Sequence, residues 1–243
     1  MSLDNSFNTK YRKYISSFFL CLFFIVSLLE IMAEYNEDKL LIWITKPFIL
    51  PLLLAYYLIL TKKGNNYFLV ALFCSWIANL LFIEDTLKWI IYASIFFLIY
   101  RILIIYIVMN KVKTPSLVPL IIGSIPFIFI YATVCFLSFE AMGDNLYLFL
   151  IHGIFTIFLG GLSLGNYIMN LNKSNLVLFL STMLFALTQF VFVLIVFFGH
   201  ENIFHALAMV MFVIGQFLLT KFIFLTEENK SKYVTLDKSI QNS

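Results

Sequence analysis

Arg101 is the residue of this chain that most clearly points to a functional site. It lies near the middle of segment 89–109, in which every other side chain is uncharged and which is long enough to cross a lipid bilayer. A guanidinium stays charged at any accessible pH, and burying it in hydrocarbon costs at least ~2.5 kcal/mol on insertion scales. We therefore expect Arg101 either to be paired with another group or to line a polar cavity.

Three amide side chains are the other strongly polar groups expected near mid-membrane, each within about 6–7 Å of the centre of its segment by helical rise. If the helices pack face to face, these amides and Arg101 meet in one central pocket. Amides also serve as packing contacts between membrane helices, worth only ~0.6 kcal/mol each, and this alternative stays open for all of them. The three residues are Asn79, Gln189 and Gln216.

Two further residues are candidates for binding a substrate. His152 lies near one helical stripe with Thr156 and Ser163, and it is as consistent with helix packing as with catalysis. Lys46 either extends to the outer membrane interface, as long cationic side chains do, or turns inward to meet a lipid phosphate. Glu30 is its expected ion-pair partner.

The elements that position these side chains are predicted from composition and hydrophobic runs. Apolar residues make up 62% of the 243 residues and charged residues only 12%, which excludes an ordinary soluble domain. Apolar runs of about 17–25 residues, the length of a membrane-spanning helix, predict an all-α polytopic membrane protein with eight spans. The runs are 14–33, 41–60, 67–83, 89–109, 117–138, 146–169, 176–198 and 203–225.

Charged residues alternate in sign from one connecting segment to the next. Lysine and arginine dominate both ends of the chain and the loops after every second span, whereas the other loops are mainly acidic. The positive-inside rule then predicts both termini in the cytoplasm, and we expect the plasma (inner) membrane of a bacterium. The predicted divisions are a cytoplasmic N-terminus at 1–13, a transmembrane domain at 14–225 and a cytoplasmic tail at 226–243.

Metal and nucleic-acid chemistry have no support in the sequence. The cysteines fall within spans without ligand or disulfide spacing, and the histidines are too scattered to form a ligand set. The net charge of +3 carries no signal for nucleic acid. We expect no metal and no cofactor, and a membrane lipid as the partner.

Spans 3 and 4 resemble spans 7 and 8. Residues 97–103 align with 212–218, which places Arg101 and Gln216 in the same slot, and residues 79–82 align with 189–192. Because the matched spans run in the same direction, the similarity is compatible with a parallel repeat of two four-helix halves. Chance similarity between apolar helices is the alternative interpretation.

The sequence TKPFILPLLL at residues 45–54 resembles the TKP(L)xxPLL signature of the YhhN, or lysoplasmalogenase, family. Segments 68–83, 96–106, 178–192 and 215–218 are similar to the third, fourth, seventh and last helices of that family. The resemblance implies eight spans and hydrolysis of the vinyl ether bond of lysoplasmalogens or related lysophospholipids. This reaction needs a general acid that protonates carbon and a group that orients water.

The chain departs from the family pattern at the positions that the resemblance marks as catalytic. Amides stand where the family typically has two aspartates, and arginine stands where it often has histidine. An amide cannot act as a general acid, so the family activity is in doubt while the polar shape of the pocket is kept. The replacements are Ala78-Asn79 for Gly-Asp, Thr188-Gln189 for Ser-Asp, and Arg101.

Three functional interpretations follow. The first is a divergent vinyl ether hydrolase, in which the acid would be Glu30, His152 or Glu84. The second is a non-catalytic lipid-binding or transport protein, in which Arg101 holds a phosphate or carboxylate. The third is a structural membrane protein in which Arg101 forms an ion pair. A carboxyl group within reach of Arg101 would discriminate between them.

Overall fold

The computed structural model describes residues 2–61, 64–84, 86–142, 146–198 and 202–241, and these form eight α-helices without a strand. Each predicted span coincides with one helix, so the all-α fold class is confirmed. The helices are α1 Ser2–Asn36, α2 Lys39–Leu60, α3 Asn66–Leu81, α4 Leu87–Lys111, α5 Leu117–Met142, α6 Leu146–Met169, α7 Lys173–Phe198 and α8 Asn202–Gln241.

Seven of these helices are long and apolar enough to cross a membrane, and α3, with 16 residues, is the shorter one. The chain is therefore a polytopic helical membrane protein. Helices α1 and α8 run without a break past residues 13 and 225, where we predicted the membrane domain to begin and end. The helix ends do not mark where the bilayer begins and ends, so the boundaries at residues 13 and 225 stay predictions.

Four antiparallel hairpins, α1–α2, α3–α4, α5–α6 and α7–α8, make the closest helix contacts. Helix α8 also packs against α1 and α2, and α6 packs against α7 and α4. The contact of α2 with α8 and that of α6 with α4 would be exchanged by the predicted repeat. The repeat itself stays a prediction, because α5 also packs against α7 and α1 against α8 without such a match among the principal contacts.

Helix α2 begins earlier than expected. Its first residue is Lys39, and the Asp38 side chain caps it by accepting a hydrogen bond from the backbone N–H of Leu41 at 3.1 Å. Proline is common in the first turn of a helix, but here both Pro47 and Pro51 lie inside the helix. The polar cap outweighs the proline signal at this end.

The two prolines of α2 lead to a hydrogen bond between α2 and α3. Pro51 has no N–H, so the carbonyl of Pro47, four residues earlier, lacks its normal helical donor. The indole Nε1–H of Trp76 donates to this carbonyl at 2.8 Å. The Pro47–Pro51 spacing in the TKP segment thus frees one backbone acceptor, and α3 supplies the donor.

Charged groups mark the two ends of the bundle. Glu34, near the end of α1, lies 2.6 Å from Lys46 of α2 and 3.8 Å from His205 in the first turn of α8. At the opposite end, Lys111 and Tyr57 both contact Glu227 of α8. Consecutive helices therefore alternate in direction, as the charge pattern predicts. Several loop charges used for that prediction lie outside the described residues or side chains, namely Lys62, Lys63, Asp85, Glu140, Asp144, Glu201, Lys230, Lys232 and Lys238.

Candidate functional site

Arg101 lies on the inner side of α4 and is the centre of a buried hydrogen-bonded group contributed by α4, α5, α6 and α7. Only 4% of its surface is exposed. Its Nη1 donates to the side-chain oxygen of Gln189 at 2.9 Å and to the backbone carbonyl of His152 at 3.4 Å. Because Arg101 can only donate, the Gln189 atom that faces it must be Oε1.

Gln189 is the acceptor on which this group converges. Its Oε1 also accepts hydrogen bonds from Thr156 Oγ1 at 3.0 Å and from the phenol of Tyr131. Tyr131 Oη further donates to Thr156 Oγ1 at 3.1 Å, as an alternative use of the same proton. Three donor groups from three neighbouring helices therefore surround one neutral carbonyl oxygen, and Thr156 shares its single proton between this oxygen and the backbone carbonyl of His152.

His152 joins the group through its backbone and keeps one ring nitrogen unused. Its carbonyl also accepts from Thr156 Oγ1 at 2.8 Å, and its ring Nε2 lies 3.0 Å from the backbone oxygen of Ser94. A carbonyl oxygen only accepts, so Nε2 carries the proton and Nδ1 carries a lone pair. Nδ1 is fully buried without a hydrogen-bond partner. His152 in this tautomer is an acceptor and not an acid.

Within the described part of the chain, no carboxylate lies at ion-pair distance from Arg101. The guanidinium has five N–H groups, and the hydrogen bonds to described residues use only Nη1. The edge formed by Nε and Nη2 therefore has no described protein acceptor. The interpretation of Arg101 as half of a structural ion pair therefore finds no partner among the described residues.

A cavity lies beside Arg101 between α4, α6, α7 and α8. Its volume, measured over the positions that the centre of a water molecule can occupy, is about 10 Å³, which is room for roughly one water. Arg101 lines this cavity, and none of its N–H groups is among the fully enclosed polar atoms without a partner in the described residues. The polar residues that line the cavity are Tyr100, Arg101, Thr156, Ser181 and Thr182.

Gln216 belongs to a second group, next to the first. Its Nε2 donates to Ser75 Oγ at 2.8 Å, and its Oε1 accepts from Tyr100 Oη at 3.2 Å. Both ends of the amide are thus used to join α8 to α3 and α4. Tyr100 precedes Arg101 and also lines the cavity, so the two groups meet there.

Asn79 and Lys46 are not brought to Arg101 by any contact of the described residues. Asn79 is buried, with 6% of its surface exposed, and its Nδ2 has no hydrogen-bond partner. Lys46 lies in the charged group near the end of α1, where its Nζ is 2.6 Å from Glu34 and 3.5 Å from Glu30. The ion pair expected between Lys46 and Glu30 is present, and Glu34 is the nearer of the two carboxylates to Lys46. The structure therefore gathers Arg101, Gln189 and His152, with Gln216 adjacent.

Sequence reasoning missed two members of the site, Tyr131 and Tyr100. The chain has 13 tyrosines, and neither of these two lies in a pattern that separates it from the rest. Hydroxyl and amide groups dominate the site, and no group of three histidine, cysteine, aspartate or glutamate side chains that could hold a metal occurs among the described residues. The arrangement can bind an anion and a hydrogen-bond donor, but it supplies no carboxylic acid.

The family comparison covers the whole of this site. The model of the YhhN family matches residues 41–223, well over half of the chain. All six predicted site residues lie within the matched range, whereas Glu30 and Glu34 precede it. No curated protein and no solved structure matches the chain.

Proposed function

The chain belongs to the YhhN family, and from this premise we propose that it binds the anionic head group of a membrane lipid, specifically a lysophospholipid, through Arg101. The observation that carries the proposal is the buried guanidinium without a carboxylate partner in the described part of the chain. A buried charge is costly unless an opposite charge and good hydrogen bonds compensate it.

A phosphate is the complement of what Arg101 offers. The Nε and Nη2 groups point along one edge of a planar guanidinium, and this geometry suits bidentate binding of phosphate or carboxylate oxygens. Nη1 is fixed on Gln189 and His152, which holds the plane of the guanidinium in place. The free edge is thus oriented before a ligand arrives, and less conformational entropy is lost on binding.

Vinyl ether hydrolysis is poorly supported at the same site. Protonation of an enol ether carbon needs a general acid, and the Arg101 group contains an amide, hydroxyls and a histidine whose bound tautomer leaves Nδ1 as an acceptor. Gln189 stands where the family resemblance implies an aspartate. We therefore propose ligand binding with little or no turnover of the vinyl ether.

Hydrolysis with a displaced acid is the second candidate, and one observation favours it. The carboxyl of Glu30 is completely buried and accepts a hydrogen bond from Thr45, while Lys46 lies 3.5 Å away. Thr45 and Lys46 are the first two residues of the TKP segment. The only part of the family signature with polar side chains therefore contacts this carboxyl group.

Thermal melting with and without lysophospholipid tests the binding proposal. A ligand at 100 times its Kd adds ~2.7 kcal/mol of stability, which corresponds to a rise in Tm of about 5 °C or more for a chain of this size. We expect this rise for the wild type and its loss in Arg101→Gln. Lys88→Gln is the matched control, since it removes an exposed cation from the same helix. An equal rise in wild type and Arg101→Gln would refute the proposal.

A further inference from the structure

We propose that the cavity beside Arg101 binds a small monovalent inorganic anion of halide size when no lipid head group occupies the site. The inference rests on the proposed function to the extent that one guanidinium serves both ligands. It differs in the ligand, in the size of the space used and in the residues that complete the site.

The size of the cavity selects the ligand. Space for roughly one water centre admits a chloride or bromide ion, which is only slightly larger than water. A glycerophosphate group is several times larger, so the helices must separate before a lipid can reach Arg101. The closed arrangement described by the structure therefore fits a halide and not a lipid head group.

The charge of the site favours an anion over a water molecule. Apolar side chains complete the cavity, including Ile104, Leu159 and Leu219. The guanidinium thus faces a medium of low dielectric constant, in which its charge is poorly screened. A water molecule would satisfy one N–H group and leave the charge uncompensated, whereas a halide compensates it and accepts from several N–H groups at once.

Thr182 supplies a second donor to the same space. Its hydroxyl lies 2.7 Å from the hydroxyl of Ser163, and either can be the donor. The Thr182 hydroxyl also donates to the backbone oxygen of Phe179 at 2.9 Å, so an anion in the cavity that Thr182 lines would compete with that carbonyl for the proton. Hydrogen bonds in such a chain polarise one another, which strengthens the last donor toward an anion.

The experiment is a halide titration of the purified full-length protein in an uncharged detergent, without added lipid. Sodium chloride or bromide replaces sodium gluconate at constant ionic strength, because gluconate is too large for the cavity. We expect a saturable rise in Tm of about 5 °C at halide concentrations far above Kd, with none in gluconate alone. Arg101→Gln should abolish the rise, and Thr182→Val should raise the apparent halide Kd several-fold.

Thr188→Val is the matched control for Thr182→Val. Thr188 lies on the same helix, its hydroxyl donates to the backbone oxygen of Leu184 at 2.8 Å, and it does not line the cavity. We expect its halide Kd to equal that of the wild type. If Arg101→Gln fails to fold, the comparison of Thr182→Val with Thr188→Val tests the proposal instead. Equal halide Kd values in these two variants would overturn it. A wild-type protein whose Tm does not rise specifically with halide would also overturn it.

Adding lysophospholipid at fixed halide concentrations separates the two proposals. Competition, seen as an apparent lipid Kd that rises with halide, supports both. A halide response that Arg101→Gln removes, with no lipid response in any variant, would keep the halide site and end the proposed function. A rise in Tm with lipid that depends on Arg101, with no rise in halide, would support the proposed function and end the halide site.

Discussion

The guanidinium of Arg101 donates to the side-chain oxygen of Gln189 at 2.9 Å, so the buried cation of this protein faces a neutral amide. By resemblance, an aspartate stands at position 189 in other family members and a histidine at position 101. In this chain a hydrogen bond joins the two helices, while one positive charge remains uncompensated by the described residues. This uncompensated charge is the basis of the anion site that we propose.

The contact between Trp76 and Pro47 should be coupled to Pro51. Trp76→Phe removes the indole donor and leaves the Pro47 carbonyl buried without a partner, which costs about 1–3 kcal/mol of unfolding free energy. In a Pro51→Ala background the backbone N–H of residue 51 can donate to that carbonyl instead. We expect the cost of Trp76→Phe to be about 1 kcal/mol smaller in this background.

Unfolding free energies of the wild type, the two single variants and the double variant complete this cycle. The loss of indole packing is common to both backgrounds and cancels in the comparison. A coupling energy of zero would show that the carbonyl needs no donor, and that the two prolines act only on the shape of α2.

Close packing of α5 on α6 should make Gly123 intolerant of a side chain. A Cβ at this position would lie 2.7 Å from the backbone nitrogen of Gly165 and 2.8 Å from the carbonyl oxygen of Gly161. Since backbone atoms cannot move aside, we expect Gly123→Ala to cost about 1–3 kcal/mol, measured as a lower Tm. At Gly64 the nearest atom would be the end of the Leu58 side chain at 3.4 Å, so Gly64→Ala should leave Tm nearly unchanged.

Vinyl ether hydrolysis should be slow or undetectable in the wild type, because loss of general acid catalysis typically lowers a rate by ~10²–10⁴-fold. The measurement is aldehyde release from lysoplasmalogen by the purified protein. We expect Asn79→Asp together with Gln189→Asp to raise it above either single variant. The contrary outcome is fast wild-type turnover that neither substitution changes but that Glu30→Gln removes. This result would identify Glu30 as the general acid and favour the hydrolase.

Both termini should lie in the cytoplasm. The measurement is the activity of a topology reporter fused after Ser243, compared with the same reporter fused in the acidic segment after Glu34. The alternating loop charges predict a cytoplasmic signal for the first and an external signal for the second. A cytoplasmic signal at both positions would mean that an even number of spans separates them, which contradicts the seven that we predict.

The sequence predicts the helices and the central residue of the site well, for one physical reason. Hydrocarbon penalises unpaired polar groups, so span length is set by the bilayer and a mid-span charge must be buried with partners. Arg101 with Gln189 and Lys46 with Glu30 follow from this constraint alone. The halves of each pair lie on different helices, at depths that helical rise can estimate.

The remaining contacts depend on helix rotation and on side chains without a distinct sequence signal. Asn79 is at a suitable depth for the Arg101 group, but the described contacts do not join it to that group. Tyr131 reaches Gln189 from α5, and nothing in its apolar neighbourhood marks it as polar lining. The start of α2 depends on one local cap at Asp38, which lies before the apolar run predicted at 41–60.

Gln189→Glu tests the central claim most directly, since it adds one carboxylate at hydrogen-bond distance from Arg101 with almost no change of shape. The added charge compensates the guanidinium internally and removes the need for an external anion. The measurement is Tm with and without lysophospholipid. We predict a lipid-free Tm at least equal to that of the wild type and a lipid-induced rise that is lost, as in Arg101→Gln. A Gln189→Glu protein that keeps the full lipid-induced rise would contradict the account.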